Sequence, residues 1–265
     1  MIRTDLHMHT RFCDGKNSPE EMVLAAIDRG MECIGFSGHS YTFFDESWCM
    51  SKSGTVEYRR EIAELKKKYK DRIRILCGIE KDFYSTQDTE DFDYVIGSVH
   101  YLKAGETFIP IDESPEILKK AAVDYFEGDL CALAGEYYRT VSAVVEKTGA
   151  DIIGHFDLIT KFMETDGMPD ITDLRYISAW KRAADILLAA GRPFELNTGA
   201  ISRGYRTSPY PEKSILDYIR KNGGRIILSS DSHSCETIGF GFDRYEGYAT
   251  EKTWIGKAEN DGKEK

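Results

Sequence analysis

One pattern constrains this chain more than any other: short apolar runs alternating with capped helical stretches. Seven such runs occur, at residues 3–9, 33–38, 74–79, 94–99, 151–154, 193–196 and 225–230. Most are continuously apolar, as expected of parallel strands whose outer face is covered by helices. Between them the helices carry start and stop signals. Ser18-Pro19-Glu20-Glu21 supplies an N-cap, a first-turn proline and a capping-box glutamate, and Gly30 ends that helix. Further helices are predicted over 56–69, from Ser114-Pro115, over 129–147, over 174–190 behind Thr172 or Asp173, and over 211–222.

Strand–helix alternation without an internal linker predicts one α/β domain with a parallel sheet. An open doubly wound sheet and a closed barrel both satisfy it. No G-x-G-x-x-G follows a strand, which weighs against a dinucleotide-binding open sheet. Polar residues at nearly every strand end favour a barrel, with its site at the C-terminal face. Residues 101–149 exceed what one connection needs and predict an extra helical pair packed on one side.

The six histidines, His7, His9, His39, His100, His155 and His233, all fall at ends of the predicted strands. His7 and His9 are two apart on a strand, so they share a face with Asp5 while Leu6 and Met8 point to the helices. Asp231 and His233 repeat that spacing, and the third strand runs into Glu80. A lone strand-end histidine is usually a satisfied core residue. Six at the same end of one sheet, with acids among them, form a metal-binding set for Zn, Mn or Fe. They are too many for one tetrahedral site and predict two or three divalent ions. Two ions ~3.5–4 Å apart activate water and clamp phosphoryl oxygens.

The net charge is −10, from 35 Lys and Arg against 45 Asp and Glu. That balance argues against a nucleic-acid-coating surface but not against a small phosphate monoester bound at a local site. Cys13, Cys33, Cys49, Cys77, Cys131 and Cys235 form no C-x-x-C pair. With no apolar run long enough for a membrane span and no signal-like N-terminus, they predict a cytoplasmic protein with free thiols and no membrane partner. A second copy of the chain is the macromolecular partner left open.

Asp5-Leu6-His7-Met8-His9-Thr10, Asp14-Gly15, Gly38-His39-Ser40, Glu80, Ser98-Val99-His100, Gly154-His155 and Ser230-Asp231-Ser232-His233 follow one another in order. This series resembles the PHP (polymerase and histidinol phosphatase) superfamily over about residues 3–243. Phe108-Ile109-Pro110-Ile111-Asp112, Tyr125-Phe126-Glu127-Gly128-Asp129 and His155-Phe156-Asp157-Leu158-Ile159 with Lys161-Phe162 resemble its monofunctional histidinol-phosphatase group. The resemblance implies a distorted (β/α)7 barrel with a trinuclear metal centre, here one PHP-type domain over 1–265 with 244–265 as an atypical tail. It implies that His7, His9, Glu80 and Asp231 hold one ion, that Glu80 bridges to a second held by His100 and His155, and that Asp14, His39 and His233 hold a third. It also implies hydrolysis of L-histidinol phosphate in histidine biosynthesis, through a metal-bridging hydroxide, with Glu80, Asp231 and His233 taking part in catalysis. The alternative is a PHP phosphoesterase acting on a nucleotide or phosphopeptide. Gly38 departs from the acid that many relatives carry there.

Arg203, Lys161 and Arg206 follow predicted strands and are the candidates for binding substrate phosphate. Asn197 is either a support for the site or a strand-ending turn residue. Tyr41, Phe43, Phe44 and Trp48 wall the pocket for an imidazole or form a separate apolar lid.

Overall fold

The computed structural model describes residues 2–166 and 168–251. Its strands are β1 (Thr4–Asp5), β2 (Cys33–Phe36), β3 (Arg74–Asp82), β4 (Tyr94–Ser98), β5 (Tyr101–Ala104), β6 (Thr107–Pro110), β7 (Ile152–Ile153), β8 (Phe194–Asn197) and β9 (Ile226–Ser229). Its α-helices are α1 (Pro19–Asp28), α2 (Lys52–Lys68), α3 (Pro115–Tyr125), α4 (Leu130–Ser142), α5 (Val144–Thr148), α6 (Met163–Asp166), α7 (Leu174–Ala189), α8 (Gly199–Ser202), α9 (Lys213–Lys221) and α10 (Phe242–Tyr245).

Seven strands form one parallel sheet in the order β1-β2-β3-β4-β7-β8-β9. A parallel bridge between Met8 and Ser232 joins its ends. His9 N–H donates to the Ser232 carbonyl at 2.8 Å, and Ser232 N–H to the His7 carbonyl at 3.0 Å. The sheet is therefore a nearly closed, distorted (β/α)7 barrel, as the alternation predicted. Its distortion is visible in β1 and β7, where ladder pairing is limited to two residues each.

Local signals explain the helices. Ser18 and Glu21 form the predicted reciprocal capping box on α1. Asp173 caps α7, whose buried face is Tyr176, Trp180, Ala183, Ala184 and Leu187, the spacing of a helix covering a barrel. Ser51 caps α2, which starts earlier than predicted because that serine outweighs the weak helix formers Ser53, Gly54 and Thr55.

The barrel floor is a small cluster of Leu6, Cys33, Leu76, Tyr94, Ile96, Ile152 and Ile227. Leu6 thus faces the interior and not the helices, contrary to the simple alternation expected of residues 5–9. The two-residue pairing of β1 ends at Asp5, so the strand period no longer applies beyond it. Tyr94 crosses the floor, and its hydroxyl donates to the Leu6 carbonyl at 2.5 Å and lies 3.1 Å from that of Phe36. Gly35 and Gly78 make room for it, since a Cβ at either would overlap the Tyr94 side chain.

The 101–149 insertion contains the first expected helix as α3 and the second split at Ala143 into α4 and α5, and it opens with an unpredicted antiparallel hairpin, β5–β6. Its two-residue turn places Gly105 at φ 58°, where glycine is favoured. At the other end, α10 is short, and Glu251 pairs in parallel with Ile227. The rest of the expected tail, 252–265, lies outside the described residues.

Candidate metal centre

All six predicted histidines converge at the C-terminal rim of the barrel, around Glu80. One Glu80 oxygen, Oε2, lies 3.2 Å from His7 Nε2, 3.5 Å from His9 Nε2 and 2.9 Å from His39 Nδ1. The other, Oε1, lies 2.8 Å from His155 Nε2 and 3.4 Å from His100 Nε2. Each oxygen of one buried carboxylate therefore addresses a different set of imidazoles. Asp231 Oδ1 completes the first set, 3.2 Å from His9 Nε2 and 3.6 Å from His7 Nε2. Beside it, Asp14 lies 3.0 Å from His233 Nε2, 3.6 Å from His39 Nε2 and 3.5 Å from His9 Nδ1.

The residues fit divalent ions. His7 Nε2, His9 Nε2, His39 Nδ1 and Glu80 Oε2 are buried without a hydrogen-bond partner, although they point at one another. Orphaned buried polar atoms are costly, and a cation between such donors removes that cost. Three groups have ligand atoms close enough to share an ion: His9-Asp14-His39-His233, His7-His9-Glu80 and His39-Glu80-His100. The buried His and Glu clusters thus provide for more than one ion, and His9 and His39 each sit between two groups.

The electrostatics are those of a mutually dependent cluster. Burial opposes a charged Glu80, but His7, His39 and His100 hold its carboxyl well below the usual range. Burial likewise opposes a charged His7, while Glu195, Asp231 and Glu80 push it well above the ordinary imidazole value. His9 is driven the other way, down to about 3, by burial and by the neighbouring His233 and His39. Opposite shifts on adjacent imidazoles are what a dense set of metal-type ligands produces.

A supporting layer fixes these groups. Glu195 Oε1 lies 2.5 Å from His7 Nδ1, and Glu195 Oε2 accepts from the His155 N–H and from Asn197 Nδ2. Asn197 Nδ2 also reaches Asp231 Oδ2 at 3.3 Å, so Asn197 supports the site. Asp82 Oδ2 accepts the His100 N–H at 3.0 Å and lies 3.5 Å from its Nδ1. Sequence reasoning missed Glu195 and Asp82. The available signal was the one that raised Glu80 to notice: an acid within an apolar strand must be paired.

A model of the PHP domain matches residues 5–199. The chain belongs to the PHP family. A Deinococcus radiodurans "Probable histidinol-phosphatase" is 29% identical over 252 residues, covering 90% of this chain and 89% of that one. The Bacillus subtilis histidinol-phosphatase is 24% identical over 268 residues, covering 92% and 98%. The crystal structure of histidinol phosphate phosphatase from Lactococcus lactis, in complex with zinc, L-histidinol and phosphate, aligns with a TM-score of 0.71. It shares 22% identity, over 96% of this chain and 94% of that one, a likeness of fold.

The PHP barrel carries a cavity of about 450 Å³ over the histidine cluster. Arg203 and Lys161 line it. Arg203 Nη2 lies 2.9 Å from Asp231 Oδ2, and Lys161 Nζ lies 3.1 Å from Asp112 Oδ2. Arg206 does not line the cavity. It is buried, donates to Thr160 Oγ1 at 2.6 Å and lies 3.8 Å from the buried Asp157, so it is placed to hold structure and not substrate. Of the four predicted aromatics, Trp48 reaches the cavity wall and donates to the Tyr101 hydroxyl at 2.7 Å. Phe43 and Phe44 pack outside it with Phe108, to which Phe44 is stacked at 3.6 Å.

Proposed function

We propose that this PHP-family metal-dependent phosphoesterase hydrolyses L-histidinol phosphate to L-histidinol and phosphate. One observation carries the reaction type: the two oxygens of Glu80 face separate histidine sets on the floor of the cavity. In the proposed arrangement His7, His9, Glu80 and Asp231 hold one ion, Glu80, His100 and His155 a second, and Asp14, His39 and His233 a third. Bound ions of this kind supply an activated water and positive charge at the phosphoryl oxygens.

The chain's own groups set up the rest. Arg203, anchored on Asp231, presents a guanidinium at the cavity wall for a phosphoryl oxygen. Lys161 adds a second cation to the cavity lining. Glu80, Asp231 and His233 also line the cavity and are the proposed catalytic groups. Two kinds of support favour an amino-alcohol phosphate bearing an imidazole. Relatives across about nine-tenths of the chain bear the histidinol-phosphatase name. The cavity also combines aromatic Trp48 and Tyr101 with the carboxylates of Asp45, Asp112 and Glu113, which suit a ring and an ammonium.

Steady-state kinetics on a panel of phosphomonoesters, after loading with Zn, Mn or Fe, test this reading. It expects kcat/KM for histidinol phosphate to exceed that for nucleotides and phosphopeptides by orders of magnitude. Preference for a nucleotide or phosphopeptide would retain the phosphoesterase and overturn the substrate.

A further inference from the structure

We propose that Asp5 is a positioning residue that clamps the His7 and Asp231 segments together across the barrel seam. This rests on the metal-centre reading above. Among the described residues, backbone pairing where the first and last strands meet is confined to the Met8–Ser232 bridge. Just below it, the fully buried Asp5 carboxylate takes over. Its Oδ1 accepts the Ser230 N–H at 3.1 Å, and its Oδ2 accepts the Ser230 hydroxyl at 2.5 Å and the Gly239 N–H at 3.0 Å. These three donors are neutral groups on the far side of the seam, and Oδ1 also accepts the His7 N–H on the near side at 3.5 Å.

What Asp5 holds matters for the site. It lies two residues before His7, and Ser230 immediately precedes Asp231. Asp231 adopts φ 49°, a left-handed backbone that a non-glycine residue keeps only when its surroundings impose it. The following residue, Ser232, is fixed by its bonds to the His7 carbonyl and the His9 N–H. The preceding residue, Ser230, is fixed by Asp5. The Asp231 backbone is thus gripped from both sides, and both grips come from the 5–9 segment that carries His7 and His9.

A carboxylate can accept all three donors at once. A carboxamide has one acceptor oxygen and turns N–H groups toward donors with its other arm. Asp5→Asn therefore keeps the shape and breaks one side of the clamp, because in either orientation its NH2 faces a backbone N–H, that of Ser230 or that of Gly239. Ser230→Ala is the milder variant, losing the hydroxyl bond while the N–H bond to Asp5 stays.

The test compares chelator-stripped wild type, Asp5→Asn and Ser230→Ala by equilibrium dialysis with Zn²⁺, by the visible spectrum of Co²⁺-loaded protein and by Tm of the stripped proteins. Asp5→Asn is expected to bind Zn²⁺ at least about tenfold more weakly, with an altered Co²⁺ spectrum. Ser230→Ala shifts both in the same direction by less. Wild-type affinity and spectrum in Asp5→Asn, whatever its Tm, would overturn the proposal, since a merely structural role moves Tm alone. If Asp5→Asn does not fold, an unchanged spectrum and affinity in Ser230→Ala overturns it equally. Wild type that binds neither metal would sink the metal-centre reading and the proposal with it.

Discussion

Glu195 Oε1, on β8, sits 2.5 Å from His7 Nδ1, just past the end of β1, and both side chains are fully buried. With Nδ1 committed to that carboxylate, the other nitrogen, Nε2, is directed at Glu80 and Asp231. A carboxylate behind an imidazole fixes ring orientation and raises ligand basicity. Glu195→Gln is expected to weaken metal binding by ~10–100-fold while the barrel stays folded. Titration of the stripped variant against a chelator of known affinity checks this, and unchanged affinity would refute the role assigned to Glu195.

The two arginines in neighbouring positions should behave in opposite ways. Arg203→Ala removes a partly exposed cavity-wall guanidinium and should lower kcat/KM by about 10²–10³-fold, with a smaller loss of stability than Arg206→Ala. Arg206→Ala leaves the buried Asp157 without its cation. Breaking a buried pair costs roughly 3–5 kcal/mol, and the low end applies here. Burial already pushes the Asp157 carboxyl up, with Arg206 pulling it down, so that group can protonate once Arg206 is gone. Urea denaturation separates the two cases.

Gly78→Ala should be destabilising out of proportion to one methyl group. Its Cβ would overlap the Tyr94 ring, which is held by carbonyls across the barrel floor. Overpacking of this kind costs typically about 1–3 kcal/mol. A lower urea midpoint at unchanged m-value is the expected result. No shift in midpoint would mean that the floor yields more easily than the geometry implies.

Acid stability should carry a signature from the α7 cap. Asp173 is lowered from 3.8 to about 2 by its hydrogen bonds to the Arg175 side chain and N–H. A carboxyl depressed in the folded state contributes stability above its unfolded value, and that contribution fades as pH falls through the folded value. Wild type and Asp173→Ala should therefore differ most above pH 4, and the gap should close toward pH 2. A gap that persists at pH 2 would contradict this. Thermal melts across that range measure it.

Much of the site was readable because parallel strands enforce a common end. Once the seven runs were placed, the period of two and the barrel rule sent His7, His39, His100, His155 and Glu80 to one rim. Less was readable where tertiary context overrides pattern. Leu6 turns inward because β1 pairs for only two residues, which no periodicity reports. The β5–β6 hairpin was hidden because its turn, Gly105-Glu106, lacks the Asn-Gly or Asp-Gly signal. Arg206 was indistinguishable from Arg203 in sequence, since both follow β8. Only packing against Thr160 and Asp157 separates them.

The seam between the first and last strands has a consequence for how the protein comes into being. His233 Nε2 and Asp14 Oδ2, 3.0 Å apart, are separated by 219 residues of chain. A ribosome that has just delivered His155, the fifth of the six histidines, has not yet delivered this contact, nor the Asp231 that faces His9. Asp14 must wait through 219 further residues of synthesis before His233 arrives. Completion of the cluster is then among the closing events of folding, and a chain that lacks Asp231 and His233 cannot assemble it.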